Sequence, residues 1–248
     1  MIRILSHNAF WFQGYPFDGD QPGLADAGVL AEMTALYRRI GADIVCLQEI
    51  QSPEVAQAVG SALGRPALYE AGGVLAQYGG CVVGANVTAE AVAAETAAVQ
   101  PPHRIWQRVR WTGPAAGLAI VNVHAPSDRQ LGSASGERRL AEFQARLNLA
   151  PQPDILCGDF NERPGRAVGR LMAAAGYVDA AEATHNDDRC TSIGGKRSDF
   201  IWVTTALAGR LVGYDVVKPR DFLSRAAGKE FRSDHLPLWI DLAIGAGS

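Results

Sequence analysis

Ile155-Leu156-Cys157-Gly158-Asp159-Phe160-Asn161-Glu162-Arg163-Pro164 reads as an apolar strand running into two polar residues spaced i, i+2, before Pro164 and Gly165 break the chain. Side chains alternate faces along a strand, so Asp159 and Asn161 project from one side of its end. The carboxylate can hold a cation or take a proton, and the amide can donate to an oxyanion. Strand ends are where open α/β proteins keep their chemistry. Taken alone, the motif fits a turn with an Asx cap equally well.

Repetition tips the balance. Asp43-Ile44-Val45-Cys46-Leu47 ends in Gln48-Glu49, Arg3-Ile4-Leu5-Ser6-His7 in Asn8, and Ala119-Ile120-Val121-Asn122-Val123 in His124. Ser233-Asp234-His235 precedes the apolar run 236–242, and Asp199 precedes Phe200-Ile201-Trp202-Val203. Solubility calls for polar loops. It does not call for acids, amides and imidazoles at the ends of six apolar runs.

Periodicity supplies the frame. Apolar residues at helical spacing predict helices over Ala25–Ile40, Pro53–Leu63, Gly136–Leu149 and Gly165–Ala175, with Gly41, Gly64 and Gly176 as stops. Strands are predicted at 43–47, 80–85, 105–111, 118–124, 199–203, 211–217 and 236–243. Helices interspersed among strands mean a layered α/β architecture. The chain has 248 residues, and a site drawn from both of its ends argues for one domain over 1–248. Net charge is −3 and the pI is near 6.0. The densest basic group is Arg104, Arg108 and Arg110, so no strong footprint for nucleic acid stands out. No run is long enough to span a bilayer. Cys46, Cys81 and Cys157 read as core residues and no spacing suggests zinc or disulfides, so a cytoplasmic location and a monomer are expected.

The ordered set Asn8, Gln48-Glu49, His124, Gly158-Asp159-Phe160-Asn161, Asp199 and Ser233-Asp234-His235 resembles the endonuclease/exonuclease/phosphatase superfamily. That superfamily includes pancreatic-type deoxyribonucleases, abasic-site endonucleases, neutral sphingomyelinases and inositol polyphosphate 5-phosphatases. The resemblance runs from Ile2 to Leu242. It implies a four-layer α/β/β/α sandwich of two packed mixed β-sheets flanked by helices, with the site at one edge. It also implies hydrolysis of a phosphoester with Mg²⁺, or Mn²⁺ as the alternative. On this resemblance Glu49 is the leading metal ligand, with Asn8 orienting or ligating and Asp234 completing the metal network. Asp159 would orient and deprotonate the attacking water. Asn161 would bond the nucleophile or a non-bridging oxygen, and His235, oriented by Asp199, would contact the phosphate. His124 occupies the position that contacts phosphate or assists the leaving group. Arg163 and Arg197 neighbour these residues and can meet phosphate. Phe10 and Trp11, just past Asn8, are candidates to stack a base, sugar or lipid group, against the plainer reading of core packing. The Ala-rich stretch Thr88–Val99 stays open between helix by propensity and strand or loop by resemblance.

Departures keep the substrate open. Phe10 stands where abasic-site endonucleases carry an acid, and His124 where they favour Tyr. No carboxylate lies near Tyr78-Gly79-Gly80-Cys81 to pair His124 as in pancreatic-type enzymes. The first reading is a hydrolase of a small or lipid-type phosphodiester or monoester. The alternative is a deoxyribonuclease-type endonuclease acting on nucleic acid. A third is a catalytically silent binding scaffold, which the intact acid set argues against.

Overall fold

A computed structural model describes residues 1–19, 21–91, 99–113 and 117–243. Among these, two six-stranded mixed sheets face one another. The first runs β11-β12-β1-β2-β4-β3, where β1 is Ile2–Asn8, β2 Ile44–Ile50, β3 Ala67–Glu70, β4 Gly79–Gly84, β11 Leu211–Val216 and β12 Leu238–Leu242. The second runs β5-β6-β7-β8-β10-β9, where β5 is Val87–Ala89, β6 Ile105–Trp111, β7 Leu118–His124, β8 Ile155–Asp159, β9 Tyr177–Asp179 and β10 Asp199–Thr204. Each sheet is built on one parallel pair, β1 with β2 and β7 with β8, and the other pairings are antiparallel.

The inner face of each sheet is apolar. Ile4, Ile44, Cys46 and Val82 meet Ile120, Ile155, Cys157 and Ile201 in the central core. The outer face of the first sheet packs under helices α1 (Ala27–Ile40) and α2 (Pro53–Leu63), through Met33, Tyr37 and Val59 against Leu5, Val45 and Leu47. The outer face of the second packs under α3 (Ser135–Leu147) and α4 (Ala167–Ala174), through Phe143, Leu147 and Met172 against Val121, Val123 and Leu156. These are the four layers α/β/β/α. No helix among the described residues is long and apolar enough to cross a membrane.

Element ends differ from the sequence reading where a cap intervenes. α1 starts at Ala27 because the Asp26 side chain accepts from Val29 N at 2.9 Å, making Asp26 the N-cap. α4 starts at Ala167 because Gly165 is left-handed and Arg166 extended. The strand expected at 43–47 continues to Ile50 through an irregularity at Glu49. Within the Ala-rich stretch Thr88–Val99, the first two residues belong to β5, and 92–98 lie outside the described residues.

A polar seam crosses the apolar core beneath one rim. Gln48 on β2 donates to Asn122 Oδ1 on β7 at 2.7 Å and to Ser6 Oγ at 3.2 Å. Asn122 donates to Gln107 Oε1 on β6 at 3.0 Å and to Leu47 O at 2.8 Å, and Gln107 returns to Leu68 O at 2.8 Å. The chain of amides thus passes from the first sheet to the second and back. Gly80 makes room for it: a Cβ there would sit 2.3 Å from Ile105 Cδ1 and 3.0 Å from Asn122 Nδ2. Replacing Asn122 with Leu strands the Gln48 and Gln107 amides, at about 1–3 kcal/mol for each lost partner. Asn122→Leu is therefore expected to lower the urea midpoint; a midpoint equal to wild type would show the seam to be dispensable.

Candidate active site

The parity that fills the core also delivers the site. Ile4 and Ser6 face inward on β1, so Asn8 does as well. Ile120 and Asn122 bring His124, Ile155 and Cys157 bring Asp159, and Ile201 and Val203 bring Asp199. β10 runs antiparallel to β8, so the start of one meets the end of the other, with Asp199 opposite Asp159. Likewise β12 runs antiparallel to β1, which places the preceding His235 beside the end of β1. Ser233 fixes this segment by donating to Asn8 O at 2.9 Å and accepting from His235 N at 3.1 Å. Glu49 has the wrong parity, sharing the outward set with Val45 and Leu47. The register shift between Gln48 and Ile50, with Glu49 at φ 56°, turns it inward. This is a bulge in the sense that one residue is left unpaired and its side chain re-aimed.

Asp159 sits at the centre. Asn161 N donates to its Oδ1 at 2.8 Å, and the Asn161 amide bridges Asp159 Oδ2 at 3.2 Å and Ala125 O at 3.0 Å. Asn8 Nδ2 reaches both Asp159 Oδ2 at 3.2 Å and Glu49 Oε1 at 3.3 Å, while its Oδ1 accepts from Phe10 N at 3.0 Å. Phe10 N–H can only donate, so the Asn8 oxygen is turned away from the carboxylates and this residue orients them. The same reasoning makes Asn161 a holder of Asp159, since its amide hydrogens are committed. Of the two roles open to Asn8 in the sequence this is the orienting one, whereas the Asn161 amide is turned to Asp159 and Ala125 O.

His235 lies between two acids. Its Nδ1 is 2.9 Å from Asp199 Oδ2, and its Nε2 is 3.7 Å from Asp159 Oδ2. Asp199 is held in turn by Thr191 Oγ1 at 2.7 Å. Burial works against a charged ring, but Asp199, Asp159 and Asp234 outweigh it and raise the His235 pKa well above its usual value. Burial would raise the Asp159 carboxyl, yet His235, His124 and Arg104 hold it below the ordinary carboxylate range. Ligand atoms of Asp159, Asp199 and His235 fall within 4.8 Å of one another. The same trio pairs charges, with His235 lying between the Asp159 and Asp199 carboxylates, and its ligand atoms are close enough together to hold a cation. His7 donates from Nε2 to His235 O at 3.1 Å and accepts from Tyr37 OH at Nδ1 at 2.7 Å.

Glu49 forms the other wing. Burial pushes its carboxyl up to about 7, opposed by Arg104 at 3.9 Å. Glu49 Oε2 and Asp234 Oδ1 are buried and meet no donor among the described residues. Oxygen donors of this kind suit a hard divalent cation. Arg104, at the entry to β6, went unnoticed in the sequence except as one of three arginines. Its guanidinium stacks 4.2 Å over Tyr78, bonds Ser127 Oγ at 2.8 Å and contacts His124 Nε2. The register Ile105↔His124 puts it there. Burial and Arg104 pull His124 to about 3. The neutral ring is favoured, and its Nε2 lies both against the Arg104 guanidinium and 3.4 Å from Asp159 Oδ2.

Three expected contacts turn elsewhere. Arg197 points to the β9 edge, where it pairs with Asp179 at 2.8 Å and covers the Phe200 ring, because that buried acid needs a counter-charge. Phe10 and Trp11 are buried, not open platforms. Trp11 donates to Gln77 O at 2.8 Å and packs 4.9 Å from Tyr78, with Phe10 stacked behind it. They brace the wall that carries Arg104. Arg163 is exposed and lines a cleft beside the site with Asn161, Asp234 and His235.

A sequence model of the endonuclease/exonuclease/phosphatase family matches residues 5–235. The chain belongs to that family. Endonuclease/exonuclease/phosphatase members are divalent-metal-dependent nucleases and phosphatases. Solved structures share the fold at low identity. An AP endonuclease from Archaeoglobus fulgidus aligns with a TM-score of 0.70 at 17% identity, covering 98% of this chain and 100% of its own. A 3′ phosphatase from Neisseria, bound to a product DNA hairpin, gives 0.69 at 18% identity with the same coverage. A functionally unknown conserved protein from Enterococcus faecalis V583 gives 0.65 at 18%, again over 98% and 100%. No curated protein matches the chain by sequence.

Asp199 is the largest of the charges raising His235, so Asp199→Asn is expected to move the ring's titration midpoint downward. NMR titration of the His235 ring signals checks this. An unmoved midpoint would mean that Asp159 and Asp234 suffice to hold the charge.

Proposed function

We propose that the protein is a divalent-metal-dependent hydrolase of phosphoester bonds, with residues 1–248 acting as one catalytic domain. The observation that carries this reading is the Asp199–His235–Asp159 relay converging on the rim where Glu49 and Asp234 present unpartnered carboxylate oxygens. The oxygen donors of Glu49 and Asp234 would hold Mg²⁺ or Mn²⁺, which neutralises phosphoryl charge and polarises the phosphorus centre when bound. Asp159, fixed by Asn8 and Asn161, accepts a hydrogen bond from the attacking water and takes its proton. His235, kept cationic by Asp199, faces a phosphoryl oxygen and stabilises the charge that grows on it. Arg104 adds a second positive charge on the His124 side of the site.

The nuclease reading stands as the alternative, supported by DNA in the Neisseria relative's structure. The purified protein is expected to release p-nitrophenol from bis-p-nitrophenyl phosphate or p-nitrophenyl phosphate with Mg²⁺ or Mn²⁺, and to stop with EDTA. Plasmid nicking under the same conditions selects the nuclease. Silence on all three substrates would return the scaffold reading. Asp159→Asn is expected to keep the fold and lose on the order of 10²–10⁴-fold in turnover; near-normal turnover would remove Asp159 from its role. Glu49→Gln is expected to weaken the divalent cation, read as a rise in the metal concentration giving half-maximal rate. An unchanged metal titration would shift the ligand role elsewhere.

A further inference from the structure

The cleft lined by Asn161, Asp234 and His235 extends past the relay and encloses about 750 Å³, within the range of pockets that hold whole ligands. Its wall is cationic although the chain is not. Arg163, Arg166 and Lys196 all line it. They come from segments that flank catalytic strand ends: Arg163 and Arg166 follow Asp159, and Lys196 precedes Asp199. The Lys196 turn is docked by its own backbone. Thr191 N and Ser192 N donate to Lys196 O at 2.8 and 3.0 Å, and Ser192 pairs with His235 as an antiparallel bridge.

Of the acids that line the same cleft, Asp234 keeps one oxygen without a donor among the described residues, while Glu162 and Asp128 are held by other groups. Glu162 Oε2 accepts from Val168 N at 2.8 Å at the start of α4. Asp128 is held by Ser135 and by Arg139 at 3.1 Å. Among the described residues, no acid lies within ion-pair distance of Arg163, Arg166 or Lys196. Like charges gathered on one wall repel, and the arrangement is relieved when an anion sits among them. Guanidinium groups bind phosphate with two parallel hydrogen bonds, and lysine binds it as a point charge.

We infer that this wall is a second phosphate-binding site, and that the substrate carries at least one further phosphate beside the ester that is cut. The inference rests on the phosphoesterase reading and narrows it, away from simple lipid or monoester substrates without extra charge. Two sources share this chemistry: a nucleic-acid strand, whose neighbouring phosphates recur at every nucleotide, and a small ester bearing two or more phosphates.

A matched pair of esters tests it. Thymidine 5′-(p-nitrophenyl phosphate) is compared with the same compound carrying a 3′-phosphate, and with a tetrathymidylate bearing the 5′-p-nitrophenyl ester. The wild-type enzyme is expected to favour the 3′-phosphorylated ester by about tenfold or more in kcat/KM, mainly through KM. The triple variant Arg163→Gln, Arg166→Gln, Lys196→Gln is expected to lose that preference. No preference in the wild type, or one retained in the triple variant, overturns the inference. A further gain for the tetranucleotide points to a strand, and no further gain points to a small polyphosphorylated ester. Should the wild type cut none of the three, the phosphoesterase reading fails separately. Calorimetry with thymidine 3′,5′-bisphosphate then decides the cleft: binding that weakens about tenfold in the triple variant upholds it, and absence of binding overturns it.

Discussion

The two-residue period of the strands is the constraint on which the molecule depends. Inward positions fill the space between the sheets with Ile4, Ile44, Cys46, Ile120, Cys157 and Ile201, and the same parity carried to the strand ends sets Asn8, His124, Asp159 and Asp199 on one lip. A slip of one residue in any of these strands would bury a charge under a helix and expose a core side chain. Glu49 shows the rule by its exception. The chain needed a break in pairing and a left-handed residue to bring that carboxylate round. Such strained backbone persists only where surrounding structure over-determines it.

Charge on the lip is arranged in alternation. Arg104 stands between Glu49 and the neutral His124, Asp159 is flanked by the amides of Asn8 and Asn161, and His235 separates Asp159 from Asp199. Buried ions are tolerable only with partners and satisfied lone pairs. Asp159 and Asp199 have both. Glu49 and Asp234 each keep an oxygen without a donor among the described residues, and under the proposed function that asymmetry would separate acids that manage protons from those suited to a cation.

Much of this was readable from the chain. Strand ends announce themselves because an apolar run stops at a polar residue, and the four longer helices showed their faces through spacing. The three short edge strands β3, β5 and β9 left no such pattern, since three or four residues are too few to establish a period. Arg104 was hidden for another reason. Along the chain it looks like Arg108 and Arg110, yet those two pair with Glu90, and only the β6–β7 register sends Arg104 into the site. Arg197 misled in the opposite way, lying two residues from Asp199 but facing Asp179. Phe10 and Trp11 stayed open between rim and core because composition cannot reveal the left-handed turn that folds them inward.

The amide seam has a bearing on how the two halves keep alignment. Glu49 and Asn8 belong to one sheet and Asp159, Asp199 and Arg104 to the other, so the geometry of the lip is an inter-sheet property. Aliphatic contacts are non-directional and let layers shear by fractions of an ångström at little cost. The directional bonds from Gln48 through Asn122 to Gln107 act as dowels that forbid such sliding. Warming that loosens these dowels would blur the spacing of opposed groups while the oily layers still cohere, so catalytic competence would fade ahead of global melting.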